Sequence, residues 1–197
     1  YDRFTQCRKE GLPGIPAEEL LAYFAEAAEA LVDLHGRNVL HRDIKPANLL
    51  RLGGHAKVAD FGLARLHESR LATATFCGTP VYMGPEMWRG QVSLHSDQYS
   101  LAVTYVEMCL GRRAYPGKDQ YEICQQHMHG NPDLKGFNPA EQAVLRQALA
   151  KDPDRRHASC LDFVRALARA HAPAATTGAP TKGLALWAVP LALVLVL

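Results

Sequence analysis

No C-x-x-C pair occurs in these 197 residues; the five cysteines, Cys7, Cys77, Cys109, Cys124 and Cys160, stand far apart. That spacing argues against a disulfide scaffold and for reduced thiols in a cytosolic compartment. The stretch Cys124-Gln-Gln-His127-Met-His129 has no second Cys/His group at zinc-like spacing, so it carries no metal reading. Charge of one sign is also lacking. Lys and Arg number 22 against 20 acidic residues, a formal net charge of +2, which gives no ground for a nucleic-acid partner. There is no internal repeat, and no signal peptide follows Tyr1. A first residue other than Met leads us to expect further chain upstream.

What is present is an ordinary globular composition, 48% apolar and 21% charged, enough for one main domain with a sizeable core. Leu20, Phe24, Ala27, Leu31 and Leu34 recur at helical spacing, with Pro16, Glu18 and Glu19 ahead of them and Gly36 behind. The segment Ser96 to Leu110 is apolar on several faces and closes at Gly111, the pattern of a helix buried nearly all round. Helical periodicity returns over Pro139 to Ala150 and Ala158 to Ala170, with Leu145, Leu149, Leu161, Val164 and Leu167 facing inward. Between them, Asn48 to Leu52 and His55 to Ala59 flank Gly53-Gly54 and predict a β-hairpin. The domain is expected over residues 1–171, mainly α with that one short hairpin.

Residues 172–183, rich in Ala, Pro, Thr and Gly, read as a flexible linker. Residues 184–197 (LALWAVPLALVLVL) carry no charge and read as the start of a transmembrane helix, although a full span needs about 20 apolar residues. Lys182, Arg165 and Arg169 upstream would keep the preceding domain on the cytoplasmic side of a cell membrane.

The hairpin folds the chain back so that His41-Arg42-Asp43 and Asn48 approach Asp60-Phe61-Gly62. Two carboxylates and an amide then meet, hard oxygen ligands suited to one Mg²⁺, with Lys45 close by to face phosphate charge. Phosphoryl transfer asks for such a set: charge neutralisation, alignment of the nucleophile, and a carboxylate to accept its proton. The expectation is that Asp43, Asn48 and Asp60 gather around a single divalent cation.

His41-Arg-Asp-Ile-Lys-Pro-Ala-Asn48 and Asp60-Phe-Gly62 resemble the catalytic and metal loops of protein kinases, in order and in spacing. Cys77-Gly-Thr-Pro-Val-Tyr-Met-Gly-Pro-Glu86 resembles the end of the family's activation segment, with Gly84 where Ala is usual. Asp97 resembles the core-helix aspartate, and Asp152-Pro-Asp-Arg-Arg156 the late arginine motif. Lys45 and Thr79 point to the serine/threonine branch, and the linker with its apolar tail resembles bacterial eukaryotic-like receptor members. The resemblance covers roughly residues 1–171.

It implies the C-terminal lobe of the kinase fold, with ATP and Mg²⁺ as cofactors and protein Ser/Thr hydroxyls as substrate. Asp43 would orient the hydroxyl and accept its proton, Lys45 would touch the γ-phosphate, and Asn48 and Asp60 would hold Mg²⁺. Glu86 would pair with Arg156 in the interior, Asp97 would accept backbone hydrogens from the catalytic loop, and His41 would pack beneath it. Arg42 would pair with a phosphorylated loop residue, Thr73 or Thr75, with Ser69 behind them. Arginine-directed kinases often have Glu where Ala47 stands, which removes one support for a basic-peptide preference.

The family's Gly-rich loop and strand lysine have no counterpart among these residues: neither G-x-G-x-x-G nor V-A-I-K can be read. The small lobe is therefore expected to be absent, and the 197 residues alone to transfer no phosphate. Two other readings stand beside the Ser/Thr kinase. One is a pseudokinase serving as scaffold or sensor. The other is a small-molecule phosphotransferase, a class that shares an Asp and Asn loop but lacks the docking shelf that residues 78–86 resemble.

Overall fold

The computed structural model describes residues 2–60, 65–66 and 78–172. The longest helices are α2, Ala17–Gly36, and α4, Leu94–Leu110, joined in the core by α6, Pro139–Ala148, and α7, Cys160–His171. Shorter helices are α1, Asp2–Lys9, α3, Pro85–Trp88, and α5, Gln120–His129. Two small antiparallel sheets complete the described part: β1, Val39–Leu40, with β4, Arg65–Leu66, and β2, Leu49–Leu52, with β3, His55–Val58.

Helix α2 starts where the sequence suggests, with Glu18 and Glu19 in its first turn against the positive end of the helix dipole. Its face of Leu20, Leu21, Phe24, Ala27, Ala28 and Leu31 is buried. Helix α4 begins two residues earlier than expected because Ser93 and Ser96 form a capping box, each side chain accepting a backbone N–H near the other. Tyr99, Leu101, Ala102, Val103, Tyr105 and Val106 of α4 lie at or near full burial, packed by α2, α6 and α7. Phe24 meets Tyr105 edge-on at 5.2 Å, which ties α2 to α4. Leu34 and Leu161, expected inside, are only partly buried at the margin of this core.

The helix ends at Gly111 with φ 66°, a left-handed cap whose N–H bonds Glu107 O. A Cβ there would stand 2.0 Å from the carbonyl oxygen of Pro13, so both conformation and space require glycine.

In the hairpin, Leu52 pairs with His55, and Gly53 and Gly54 turn at φ 60° and 86°. Asn48 is not in the strand but closes a 3-10 turn, Pro46–Asn48, so β2 starts one residue later than expected. The hairpin is pinned to α2 by Glu26, whose carboxylate accepts from Ala56 N and from the His55 ring at 3.0 Å.

Helices α1 and α5 and the β1–β4 pair were not anticipated. The two strands are two residues each, too short for any periodicity to register. No described helix is long and apolar enough to cross a membrane. The segment 184–197, most of the linker, Phe61, Gly62, Ser69, Thr73, Thr75 and Cys77 lie outside the described residues.

Candidate active site

The turn between β1 and β2 presents Asp43 at its centre, 7% exposed. Its Oδ1 accepts from Thr79 N at 2.9 Å and Thr79 Oγ1 at 2.7 Å. Its Oδ2 accepts from Lys45 Nζ at 2.7 Å and Asn48 Nδ2 at 3.3 Å. Lys45 also donates to Thr79 Oγ1 at 2.9 Å, closing a ring of three side chains. Burial pushes the Asp43 carboxyl up, but the bonds from Lys45 and Thr79 outweigh it and hold the group below the usual carboxylate range. Asp43 is thus ionised at neutral pH.

Asn48 turns its amide nitrogen to the Asp43 carbonyl at 2.8 Å, which leaves the amide oxygen as its remaining acceptor. Its own carbonyl accepts from Ala59 N at 2.9 Å. Ala59 is held a second time, for its carbonyl accepts from His41 Nε2 at 3.0 Å. Because Asp43 N approaches His41 Nδ1 at 3.4 Å, the ring's proton belongs on Nε2. The next residue, Asp60, is exposed and left-handed, φ 63°. The structure therefore brings Asp43 and Asn48 into direct contact and fixes the backbone immediately before Asp60 to the same loop.

Arg42 is the other left-handed residue of the site, φ 69°. Strain of this kind persists only where neighbours over-determine the backbone. Asp97 on α4 does so: Oδ1 accepts from Arg42 N at 2.8 Å and Oδ2 from His41 N at 3.0 Å. His35, at the end of α2, reaches Asp97 Oδ2 at 2.8 Å, a contact that the sequence reading missed. The Arg42 side chain is buried, and its Nε has no hydrogen-bond partner among the described residues.

Below the site, Glu86 of α3 and Arg156 form a buried bidentate pair, both bonds 2.8 Å. Ser96 Oγ donates to Glu86 at 2.7 Å, and the guanidinium lies 4.8 Å from the Tyr99 ring centre. Burial raises the Glu86 carboxyl, and Arg156 more than offsets that, leaving it low. Ser96 and Tyr99 were absent from the sequence-level set of supports. Their only signal was their place in a helix that the pattern already buried.

A carboxylate with a lysine two residues on, an amide five residues on and a threonine hydroxyl closing the ring can orient a hydroxyl nucleophile beside phosphate. The description "Protein kinase domain" matches residues 3–170. The chain belongs to the protein kinase family. Among the curated proteins, it is 33% identical to the serine/threonine-protein kinase PknB of Mycobacterium leprae over 80% of this chain and 27% of that one. It is 36% identical to the serine/threonine-protein kinases drp72 of Corynebacterium efficiens over 78% of this chain and 31% of that protein. The ribosomal protein S6 kinase alpha-2 of Mus musculus matches at 35% over 85% of this chain and 23% of its own length. The chain thus spans about a quarter to a third of the length of these relatives. Residues 41–48 and Asp60 lie within the matched region.

Proposed function

We propose that this chain carries the catalytic loop of a Ser/Thr protein kinase that transfers the γ-phosphate of ATP to protein hydroxyls. The observation that carries this reading is the closed set Asp43, Lys45, Thr79 and Asn48, which leaves an ionised carboxylate at the mouth of the loop. The residues fit a hard divalent cation: an amide oxygen on Asn48 and an exposed carboxylate on Asp60, both fixed to one backbone segment. Asn48 and Asp60 would hold Mg²⁺, which when bound neutralises charge on the phosphates. Asp43 orients the acceptor hydroxyl and takes its proton. A carboxylate held this low is a weak base, so orientation is the larger part of its service. Lys45, already 2.7 Å from Asp43, meets the negative charge of the transferring group.

Residues 78–86 pack against the catalytic loop through Thr79, which favours a protein substrate over a small molecule. Arg42 would read a phosphate placed on Thr73 or Thr75, a role supported by its buried Nε, which has no hydrogen-bond partner among the described residues. Anchoring at a cell membrane, with the kinase domain cytoplasmic, rests on the apolar composition of residues 184–197 alone. The residues that cradle phosphates from above are not among these 197, so a polypeptide limited to them is expected to transfer no phosphate.

The test uses the complete kinase with Mg-ATP and a mixed Ser/Thr peptide substrate. Asp43→Asn is expected to lower kcat by about 10² to 10⁴ with little change in KM. Asp60→Asn should abolish the Mg²⁺ dependence along with activity. Full activity in Asp43→Asn would overturn the role given to Asp43, and no phosphate transfer by the complete wild-type protein would favour a scaffold.

A further inference from the structure

Helix α5 packs against the turn Pro80–Tyr82, which continues from Thr79, the residue bonded to Asp43. The turn is held on both sides. Thr79 meets the catalytic carboxylate, and the Tyr82 carbonyl accepts from Ser100 Oγ of α4 at 2.8 Å. Between these two anchors stands Val81, and its partner is His127 of α5. Burial and the Lys151 cation push the His127 pKa down to about 3, and only the Val81 carbonyl, facing the ring as an acceptor, pulls the other way. The imidazole is therefore neutral, with one N–H and one lone pair to place.

His127 is wholly buried and takes no part in the site described above. Its Nδ1 lies 2.9 Å from the Tyr99 hydroxyl, and its ring centre stands 4.5 Å from that of Tyr115. Lys151 Nζ donates to its backbone carbonyl at 2.7 Å, so ring and main chain are both fixed. With Nδ1 occupied, Nε2 is the nitrogen left for Val81. A carbonyl oxygen there calls for a donor, which puts the proton on Nε2 and makes Tyr99 the donor to Nδ1. Yet Nε2 is out of water and completes no hydrogen bond among the described residues. A buried donor beside an acceptor that it does not reach costs free energy, and a small movement of the turn toward α5 would recover it.

We infer that His127 is a positioning residue for the turn Pro80–Tyr82, its Nε2–H closing on the Val81 carbonyl when an acceptor peptide lies across the turn. The inference rests on the kinase reading, which takes residues 78–86 as the docking shelf for a protein substrate. Closing the bond and binding the peptide then favour each other by the same factor. Because Thr79 is tied to Asp43 independently of His127, the effect falls on peptide binding and not on the transfer step. An apolar side chain of similar size would fill the same space and leave the carbonyl unmet.

The test uses the complete kinase with the mixed Ser/Thr peptide substrate. Fluorescence anisotropy without ATP reads peptide binding, and steady-state kinetics separates KM from kcat. His127→Leu, which fills the space without a donor, is expected to weaken peptide binding and raise the peptide KM by roughly fivefold or more, with the KM for ATP unmoved. His127→Gln, whose side-chain amide brings an N–H toward the same point, should restore both. In the wild type, NMR of the imidazole should show the Nε2–H tautomer, with that proton moving downfield as peptide is added. This measurement needs no variant and covers the case in which His127→Leu fails to fold. Equal peptide affinity in the wild type and His127→Leu, an equal loss in the Leu and Gln variants, or an Nε2 proton that peptide does not shift overturns the role. Peptide binding with the expected His127 effects but without phosphate transfer would leave the role standing and sink the kinase activity instead.

Discussion

Arg156 grips Glu86 in a two-bond fork, Nη1 to Oε1 and Nη2 to Oε2, each 2.8 Å, with both side chains almost wholly out of water. Seventy residues of chain separate the two. The pair ties the segment that follows Thr79 to the turn ahead of α7.

Removing one member leaves the other charge buried without a counterion. Arg156→Met is expected to destabilise the domain by about 3 to 5 kcal/mol, and Glu86→Gln by a similar amount. The double variant Glu86→Leu with Arg156→Met should be less destabilised than the sum of the singles. Urea unfolding of all three, followed by circular dichroism, measures this. Additive losses would show that the pair is not coupled.

Thr79 contributes a hydroxyl to both Asp43 and Lys45, and a backbone N–H that no substitution removes. Thr79→Val keeps the shape and deletes the hydroxyl. A hydrogen bond to a charged group is worth about 1.5 to 3 kcal/mol, so kcat should fall by roughly tenfold or more and the melting temperature should drop by several degrees. Thr79→Ser should restore the rate.

His127 is wholly buried, its Nδ1 2.9 Å from the Tyr99 hydroxyl, and its pKa is pushed down to about 3 by burial and by the nearby Lys151 cation. The unfolded chain protonates this histidine near pH 6.5, the folded one only near 3. Stability is therefore full above about pH 6.5 and is lost as pH falls from there toward 3. Between pH 7 and 5 the loss should reach roughly 2 kcal/mol. His127→Asn should flatten that part of the profile, which urea midpoints at pH 7, 6 and 5 will show. An unchanged slope in the variant would assign the acid sensitivity elsewhere.

Gly111 ends α4 in the left-handed region with the Pro13 carbonyl oxygen 2.0 Å from where a Cβ would stand. Gly111→Ala adds backbone strain of about 1 to 3 kcal/mol and a collision with main chain that cannot move aside as a side chain could. Loss of more than about 2 kcal/mol is expected. Thermal unfolding decides it, and Gly36→Ala, with open space around its Cβ, serves as the control.

The parts legible beforehand were those in which nearby residues decide one another's conformation. Helix α2 follows from apolar spacing, the hairpin from Gly53-Gly54, and the approach of Asn48 to Asp43 from a turn five residues long. Helix α5 escaped notice because its buried face is only Ile123 and His127, too few to set a period.

Residue types and their order along the chain determined the loop chemistry and the membership in a kinase-like pattern, since a carboxylate, a lysine and an amide within six positions can meet without help from distant chain. Only the tertiary structure decided which groups steady that loop and which stand open. Asp97 reaches it from 55 residues away and Thr79 from 36. Such partners depend on how whole helices pack around a buried α4. No local propensity encodes that, because the free energy that selects it is shared among all the surfaces buried together.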